Sequence, residues 1–378
     1  MKKNVLFICL VLTSFILGAQ EPGKEEKLNK LMTSYLNCDG KKPVCSFLLS
    51  LKNRKKGFIY ENGVGIVGRS ETPVDASYQY NVASITKTLV ATVVLQLSEE
   101  GKLDIEDPIK KYLKHLDFIR YDELHIYNKK KYQDVITIEM LLNHTSGIAD
   151  VFTDAETRFN LSVFFHPRRK YTAQKFYKRY FRYNLNKKPK NIPGKGYHYS
   201  DINYMLLGFI IEDIAQKPLA AVIRERILTP LNLQNTYFEF YEKEYGAGKR
   251  IDAFFNKINI TKRVNTSYEW AGGGIVSTTN EMAIFIEALF DMQLFKNGES
   301  LKKILDVSKT SQFGKSYGLG IYKWKLGGET FYGHGGFYGS ILAYSPEHQV
   351  TISANIGQSA PPFDRGELID KVVDIALQ

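Results

Sequence analysis

The sequence predicts an α/β fold of the α+β type: an antiparallel sheet built from both chain ends and flanked by helices, with an inserted, mostly helical domain. Three observations predict it. Strand-like runs occupy residues 46–68. Four more follow one another over 317–357, and apolar runs with helical spacing dominate the stretch between. Residues 21–80 and 271–378 are expected to form the sheet-containing subdomain and 81–270 the helical one. The cleft between them is the natural place for a ligand.

The first twenty residues stand apart. Lys2 and Lys3 precede an apolar stretch, Val5 to Leu17, and small residues follow at Gly18 and Ala19. This is the pattern of a secretory signal peptide, too short to span a bilayer of ~20 helical residues. Cleavage is expected near Gln20, giving an exported, periplasmic or secreted protein without a stable membrane span. An uncleaved anchor is the other reading. After the leader, 24–36 reads as a helix and 46–52 and 56–68 as strands. The run from Ser84 to Gly101 has Ile85, Leu89, Val93 and Leu97 at every fourth position, widened by Val90 and Val94, and reads as a helix buried on most of its surface. Short helices are expected at 104–115 and 137–143 and stronger ones at 204–216 and 220–228, so that 101–270 is mostly helical. Strands are expected at 317–324, 330–336, 340–346 and 350–357, with a closing helix at 366–377.

Composition bounds the function. Of 378 residues, 44% are hydrophobic and 24% charged, which is globular; the 24 Tyr and 23 Phe suit a core or a ligand cleft. Loss of Lys2 and Lys3 lowers the formal charge from +11 to +9. Such a basic exported chain either favours an anionic envelope surface or simply carries a solvated lysine-rich exterior. Lys187, Lys188 and Lys190 sit in no recognisable nucleic-acid-binding fold, and no nucleic-acid partner is expected. Cys38 and Cys45 either close a short loop, worth roughly 2–3 kcal/mol, or remain free thiols.

The chemistry-bearing residues fall in three places. Ser84 and Lys87 lie three apart on one helix face, so the amine can reach the hydroxyl. A serine is a poor nucleophile until a base takes its proton. A helix start also offers unpaired N–H groups and the positive end of the dipole to an oxyanion. By spacing alone Ser84 reads first as a helix N-cap, and only its setting on a buried helix at a domain junction brings the catalytic reading level with it. A second match, Ser300 to Lys303, reads as an exposed helix start. Tyr199-Ser200-Asp201 lies on a loop directly before an apolar helix. A tyrosine among cations loses its proton more readily than in water, and Tyr199 would then take the Ser84 proton and return it to a leaving group. A packed tyrosine is the alternative. His334 precedes Gly335 and Gly336 on a strand, where the glycines admit a substrate and free N–H groups complete an oxyanion hole; a hairpin glycine run is the other reading. No Gly-Lys-Ser/Thr phosphate loop follows. His144 and His166 lack metal-ligand spacing; His144 is read as holding a turn and Gly272, Gly273 and Gly274 as allowing close packing near the cleft.

These motifs together resemble the serine β-lactamase and penicillin-binding protein superfamily, most of all the class C β-lactamase-like branch with its DD-peptidase, D-aminopeptidase and esterase relatives. Ser84-Ile-Thr-Lys87 matches its first motif. Tyr199-Ser200-Asp201 stands where the family has Tyr-x-Asn, and His334-Gly335-Gly336 where it has Lys-Thr-Gly or His-x-Gly. "LLNHTSGI" (141–148) and "AGGGIVSTTNEMAIFI" (271–286) are also similar. The resemblance implies a β-lactamase/transpeptidase-like fold and no metal or cofactor. Ser84 would be the acylated nucleophile, Lys87 would share its proton and Tyr199 would be the general base. Asp201, His334, Gly336 and Phe337 would bind substrate, the N–H groups of Ser84 and Phe337 forming the oxyanion hole. Two departures matter. Asp201 replaces an amide and, when ionised, cannot donate; it would pair with Lys87. His334 is neutral or switchable where β-lactamases have a fixed cation.

The expected function is therefore an exported serine hydrolase forming an acyl-enzyme with a small peptide, ester or β-lactam, D-amino-acid peptides of peptidoglycan among them. A class C-type β-lactamase and a catalytically impaired binding protein are the alternatives, the latter motivated by Asp201.

Overall fold

The computed structural model describes residues 23–378 apart from residue 69. The leader expected over 1–20 lies outside the described residues. Helix α1 (Lys24–Ser34) leads into strands β1 (Ser46–Asn53) and β2 (Phe58–Gly65). A disulfide joins Cys38 to Cys45 between α1 and β1, which resolves the two readings of that pair.

In β1, Phe47, Leu49 and Leu51 face one side of the sheet and Leu48 the other, as the two-residue period of a strand requires. After strand β3 (Tyr80–Asn81) comes helix α2 (Thr86–Glu99), whose residues 86–95 are all buried. The middle of the chain supplies helices α3 (Glu156–Phe165), α4 (Ala173–Arg182) and α5 (Asp201–Ala215), then strand β4 (Tyr237–Phe238), strand β5 (Ile275–Ser277) and helix α6 (Thr279–Phe290). The C-terminal part adds strands β6 (Tyr322–Leu326), β7 (Glu329–Gly335), β8 (Ser340–Ser345) and β9 (Val350–Asn355) and helix α7 (Arg365–Leu377).

The main sheet has the order β6-β7-β8-β9-β1-β2, antiparallel throughout, so the two chain ends meet where β1 pairs with β9 (Leu48 opposite Asn355). One face of the sheet packs on α1 and α7 through Leu28, Met32, Val372 and Val373. The other joins the large core that contains α2, α5 and α6. A small sheet, β3-β5-β4, lies beside the start of α2.

Three local expectations need correction. The helix read at 104–115 survives only as Lys110–Leu113, because Asp104 and Asp107 accept from nearby backbone N–H groups and hold turns instead. Residues 229–269 are mainly irregular, with two-residue strands. Left-handed backbone at Asn232, Phe240, Gly246, Gly248 and Asn256 interrupts helical runs there, leaving only the four-residue helix Ile260–Arg263. The strand read from 317 starts only at Tyr322, after a turn through Gly320 at φ 76°.

Candidate active site

The turn Ala83–Ile85 places Ser84 just ahead of α2. Ala83 has φ 50°, a left-handed conformation that costs a residue with a Cβ. The N-cap reading of Ser84 does not hold. α2 starts at Thr86 behind Ile85 with no side-chain cap, and Ser84 Oγ instead accepts a hydrogen bond from Lys87 Nζ at 2.9 Å.

Lys87 is fully buried, at 0% exposure. Its Nζ donates to three oxygens: Ser84 Oγ, Asp201 Oδ1 at 2.6 Å and the Gly272 carbonyl at 2.7 Å. An ammonium has three protons, so this set saturates it. The Ser84 hydroxyl keeps its own proton free of Lys87, and it lies close enough to the Tyr199 phenol to favour that group's ionised form. The Tyr199 ring sits 5.0 Å from Lys87 Nζ and lies against the His144 imidazole at 4.2 Å between centroids. Burial, then the Asp201 charge, raise the Tyr199 phenol well above its ordinary range, and the Ser84 hydrogen bond offsets only part of this. The expectation of a readily ionised tyrosine is thus reversed: the cation beside it is matched by a carboxylate.

Asp201 opens α5, and its N–H donates to Asp150 Oδ1 at 2.9 Å. Asp150 is buried and also accepts from the N–H groups of Phe152 and Thr153. Burial and the neighbouring Asp201 charge push its carboxyl up to about 7. Glu269 is pushed up to about 8, chiefly by burial, and accepts from the Tyr338 hydroxyl. Three carboxyls therefore surround one buried lysine. The glycines fit between them: a Cβ on Gly272 would stand 2.6 Å from Asp201 Oδ1, and one on Gly273 would stand 3.0 Å from Glu269 Oε2.

The turn between β7 and β8 closes the site from the sheet side. Ser340 Oγ donates to Val82 O at 2.9 Å, and a Cβ on Gly336 would overlap that same carbonyl. The backbone of 336–337 is thereby held against the Ser84 turn. Among the described residues the Phe337 N–H has no hydrogen-bond partner, and its ring, 53% exposed, stacks on Phe255 at 5.8 Å on the rim. His334 is buried, with Nδ1 2.7 Å from the Gly335 carbonyl and Nε2 3.1 Å from the Tyr317 hydroxyl. A carbonyl only accepts, so Nδ1 carries the proton and Nε2 accepts from Tyr317. Burial and the Lys87 charge depress this imidazole to about 3. His334 is neutral and fully engaged; the switchable cation allowed by its residue type is not present.

The sequence matches the Beta-lactamase family over residues 54–377. The chain belongs to this family. Within it, the chain is 28% identical to a protein of Escherichia coli (strain K12) named "Putative D-alanyl-D-alanine carboxypeptidase", over 75% of this chain and 70% of that one. Its fold is similar to the D-amino acid amidase from Ochrobactrum anthropi SV3 complexed with D-phenylalanine (TM-score 0.75, 22% identity, 92% of this chain and 98% of that chain). It is also similar to a D-stereospecific amidohydrolase from Streptomyces sp. (TM-score 0.73, 23% identity, 90% and 96%) and a penicillin binding protein from Bacillus halodurans (TM-score 0.68, 18% identity, 93% and 99%). The β-lactamase/transpeptidase-like fold and the hydrolase class follow.

In this Beta-lactamase family member the second Ser-Lys match is a structural feature. Ser300 is buried rather than exposed and donates to Glu99 at 2.6 Å, while Lys303 faces solvent. His144, at φ 61°, accepts from the Ser200 N–H at 3.2 Å and supports the Tyr199 loop, as its turn-holding reading suggests. His166 is exposed at the end of α3. Sequence reasoning did not find Asp150, Glu269, Tyr317 or Tyr338. Asp150 lies two residues past the "LLNHTSGI" stretch and Glu269 two before "AGGG", so their position beside quoted motifs was the available signal.

Proposed function

We propose that this protein is an exported serine hydrolase that forms an acyl-enzyme on Ser84 and cleaves amides or esters of D-amino acids. One observation carries the reading: Lys87 spends its three protons on Ser84, Asp201 and Gly272, which turns the Ser84 proton toward Tyr199.

The raised Tyr199 phenol favours a relay over a standing phenolate. As Ser84 Oγ attacks the carbonyl carbon, its proton passes to the Tyr199 oxygen while the phenol's own proton passes to the leaving nitrogen or oxygen. The phenol is neutral before and after. In deacylation a water takes the place of the leaving group and the same relay runs back, restoring the Ser84 hydroxyl. Lys87 stabilises the charge that develops on Ser84 Oγ. The N–H groups of Ser84 and Phe337 serve the oxyanion, a role worth ~10²–10³-fold in rate for one donor.

The substrate class rests on two supports. Relatives carry names for a D-alanyl-D-alanine carboxypeptidase and for D-amino acid amidases. His334, being neutral, brings no positive charge to a substrate carboxylate, which favours amides and esters over peptides or β-lactams with a free carboxylate.

Rates for D- and L-amino acid amides, short-chain esters, D-Ala-D-Ala peptides and nitrocefin, each with Ser84→Ala as control, test this. The expected result is D-selective amide or ester hydrolysis that the control lacks. Nitrocefin turnover above every amide and ester would instead indicate a β-lactamase. Turnover of none would indicate a binding protein in which Asp201 has neutralised Lys87.

A further inference from the structure

An apolar and basic surface lies outside the cleft. On α3, Leu161, Phe164 and Phe165 are spaced i, i+3, i+4 and so share a face, yet they are 50%, 74% and 67% exposed. Isolated exposed hydrophobics are ordinary; three together with two adjacent phenylalanine rings form a patch. The charge around them is predominantly positive, although Glu156 opens α3 and Lys190 is paired with Asp154. Residues 157–200 contain twelve Lys and Arg and no Asp or Glu. Arg168, Arg169 and Lys170 follow α3 directly and are exposed, as are Lys175, Lys178 and Arg182 on the neighbouring α4.

The patch is rigid from behind. Phe159 packs on Phe152 at 4.8 Å and on Tyr268 at 5.2 Å, Ser162 Oγ accepts from Arg179 at 2.7 Å, and Pro167 O accepts from the Asn265 N–H at 2.7 Å. The apolar face thus points outward on a fixed support instead of covering a gap in the core.

We infer that α3 and the basic segment after it dock on an anionic phospholipid bilayer, with Leu161, Phe164 and Phe165 entering the headgroup–acyl boundary and the surrounding cations meeting the headgroups. Apolar residues fringed by Lys and Arg match such an interface on both counts, whereas a soluble polyanion would use only the cations. Among the described residues no helix is long and apolar enough to cross a membrane.

The inference does not depend on the catalytic reading, and vesicle co-sedimentation tests it on the full chain, whose N-terminal stretch is identical in every variant. Wild type should bind mixed phosphatidylglycerol–phosphatidylcholine vesicles in preference to phosphatidylcholine alone. The double variant Phe164→Ser, Phe165→Ser should bind about tenfold or more weakly, and so should Arg168→Gln, Arg169→Gln. Thermal unfolding confirms that each variant is folded. Equal binding by wild type and both variants overturns the inference. So does tight binding to soluble polyphosphate that is unaffected by the Phe changes, with no vesicle preference.

Discussion

At the scale of single residues, the roles of Tyr199 and Asp201 can be separated. Tyr199→Phe keeps the ring on His144 but removes the atom proposed to relay the Ser84 proton. Acylation by an amide or a fluorescent penicillin should fall roughly 10²–10⁴-fold in a single-turnover assay; a fall of less than tenfold would remove Tyr199 from the relay. Asp201→Asn keeps an acceptor for Lys87 but removes the countercharge and adds a donor for substrate. Acylation by a β-lactam should rise, and an unchanged or slower rate would contradict the part given to that carboxylate. The residues that carry these predictions were legible because their types stand at fixed spacing in short motifs. Asp150 and Glu269 were not: each is a lone acid on a separate segment, and its importance comes from burial near Lys87, which only the fold creates.

Among the elements, the β7–β8 turn is packed tightly against the Ser84 turn. Gly336→Ala forces a Cβ onto Val82 O and Ser340 Oγ; relief must come from moving the turn away from Ser84. Urea unfolding should show a loss of about 1–3 kcal/mol, with slower acylation. Gly335→Ala is the control: its nearest new neighbour, Ser340 O, is 3.8 Å away, and it should be nearly silent. Equal effects at both positions would mean that the turn does not position the site. Long elements such as α2, α5 and β7 to β9 were readable from hydrophobic period. Strands of two residues, such as β3 and β4, are too short to show one. The turn before β6 was hidden by its apolar composition, since Tyr317, Leu319 and Ile321 are buried as a strand's residues would be.

The whole molecule shows a pH signature set by its buried titrating groups. The Glu269 carboxyl, ordinarily near 4.5, stands at about 8 in the fold. Its stabilising contribution is complete below pH 4.5 and is lost as pH rises through 8. Asp150, at about 7, acts in the same direction. His334, at about 3 against an ordinary 6.5, acts oppositely: its contribution is complete above 6.5 and is lost as pH falls through 3. His125, at about 4, acts with His334, so the two carboxyls act unopposed only above pH 6.5, where stability should decline toward pH 8. Glu269→Gln should remove its share of the pH dependence between pH 5 and 8, at most about 5 kcal/mol. Parallel stability curves for the variant and wild type in urea would refute the assignment. The sheet joined from both chain ends was visible in the sequence as strands early and late, whereas the burial that sets these pKa values was not.

Ser84 is proposed to carry the acyl group. Intact-mass spectrometry after brief incubation with an activated phosphonate, followed by peptide mapping, addresses it most directly. One adduct is expected, mapped to Ser84, absent in Ser84→Ala and much slower to form in Tyr199→Phe. An adduct on any other residue, or equal labelling of Ser84→Ala, would contradict the proposal.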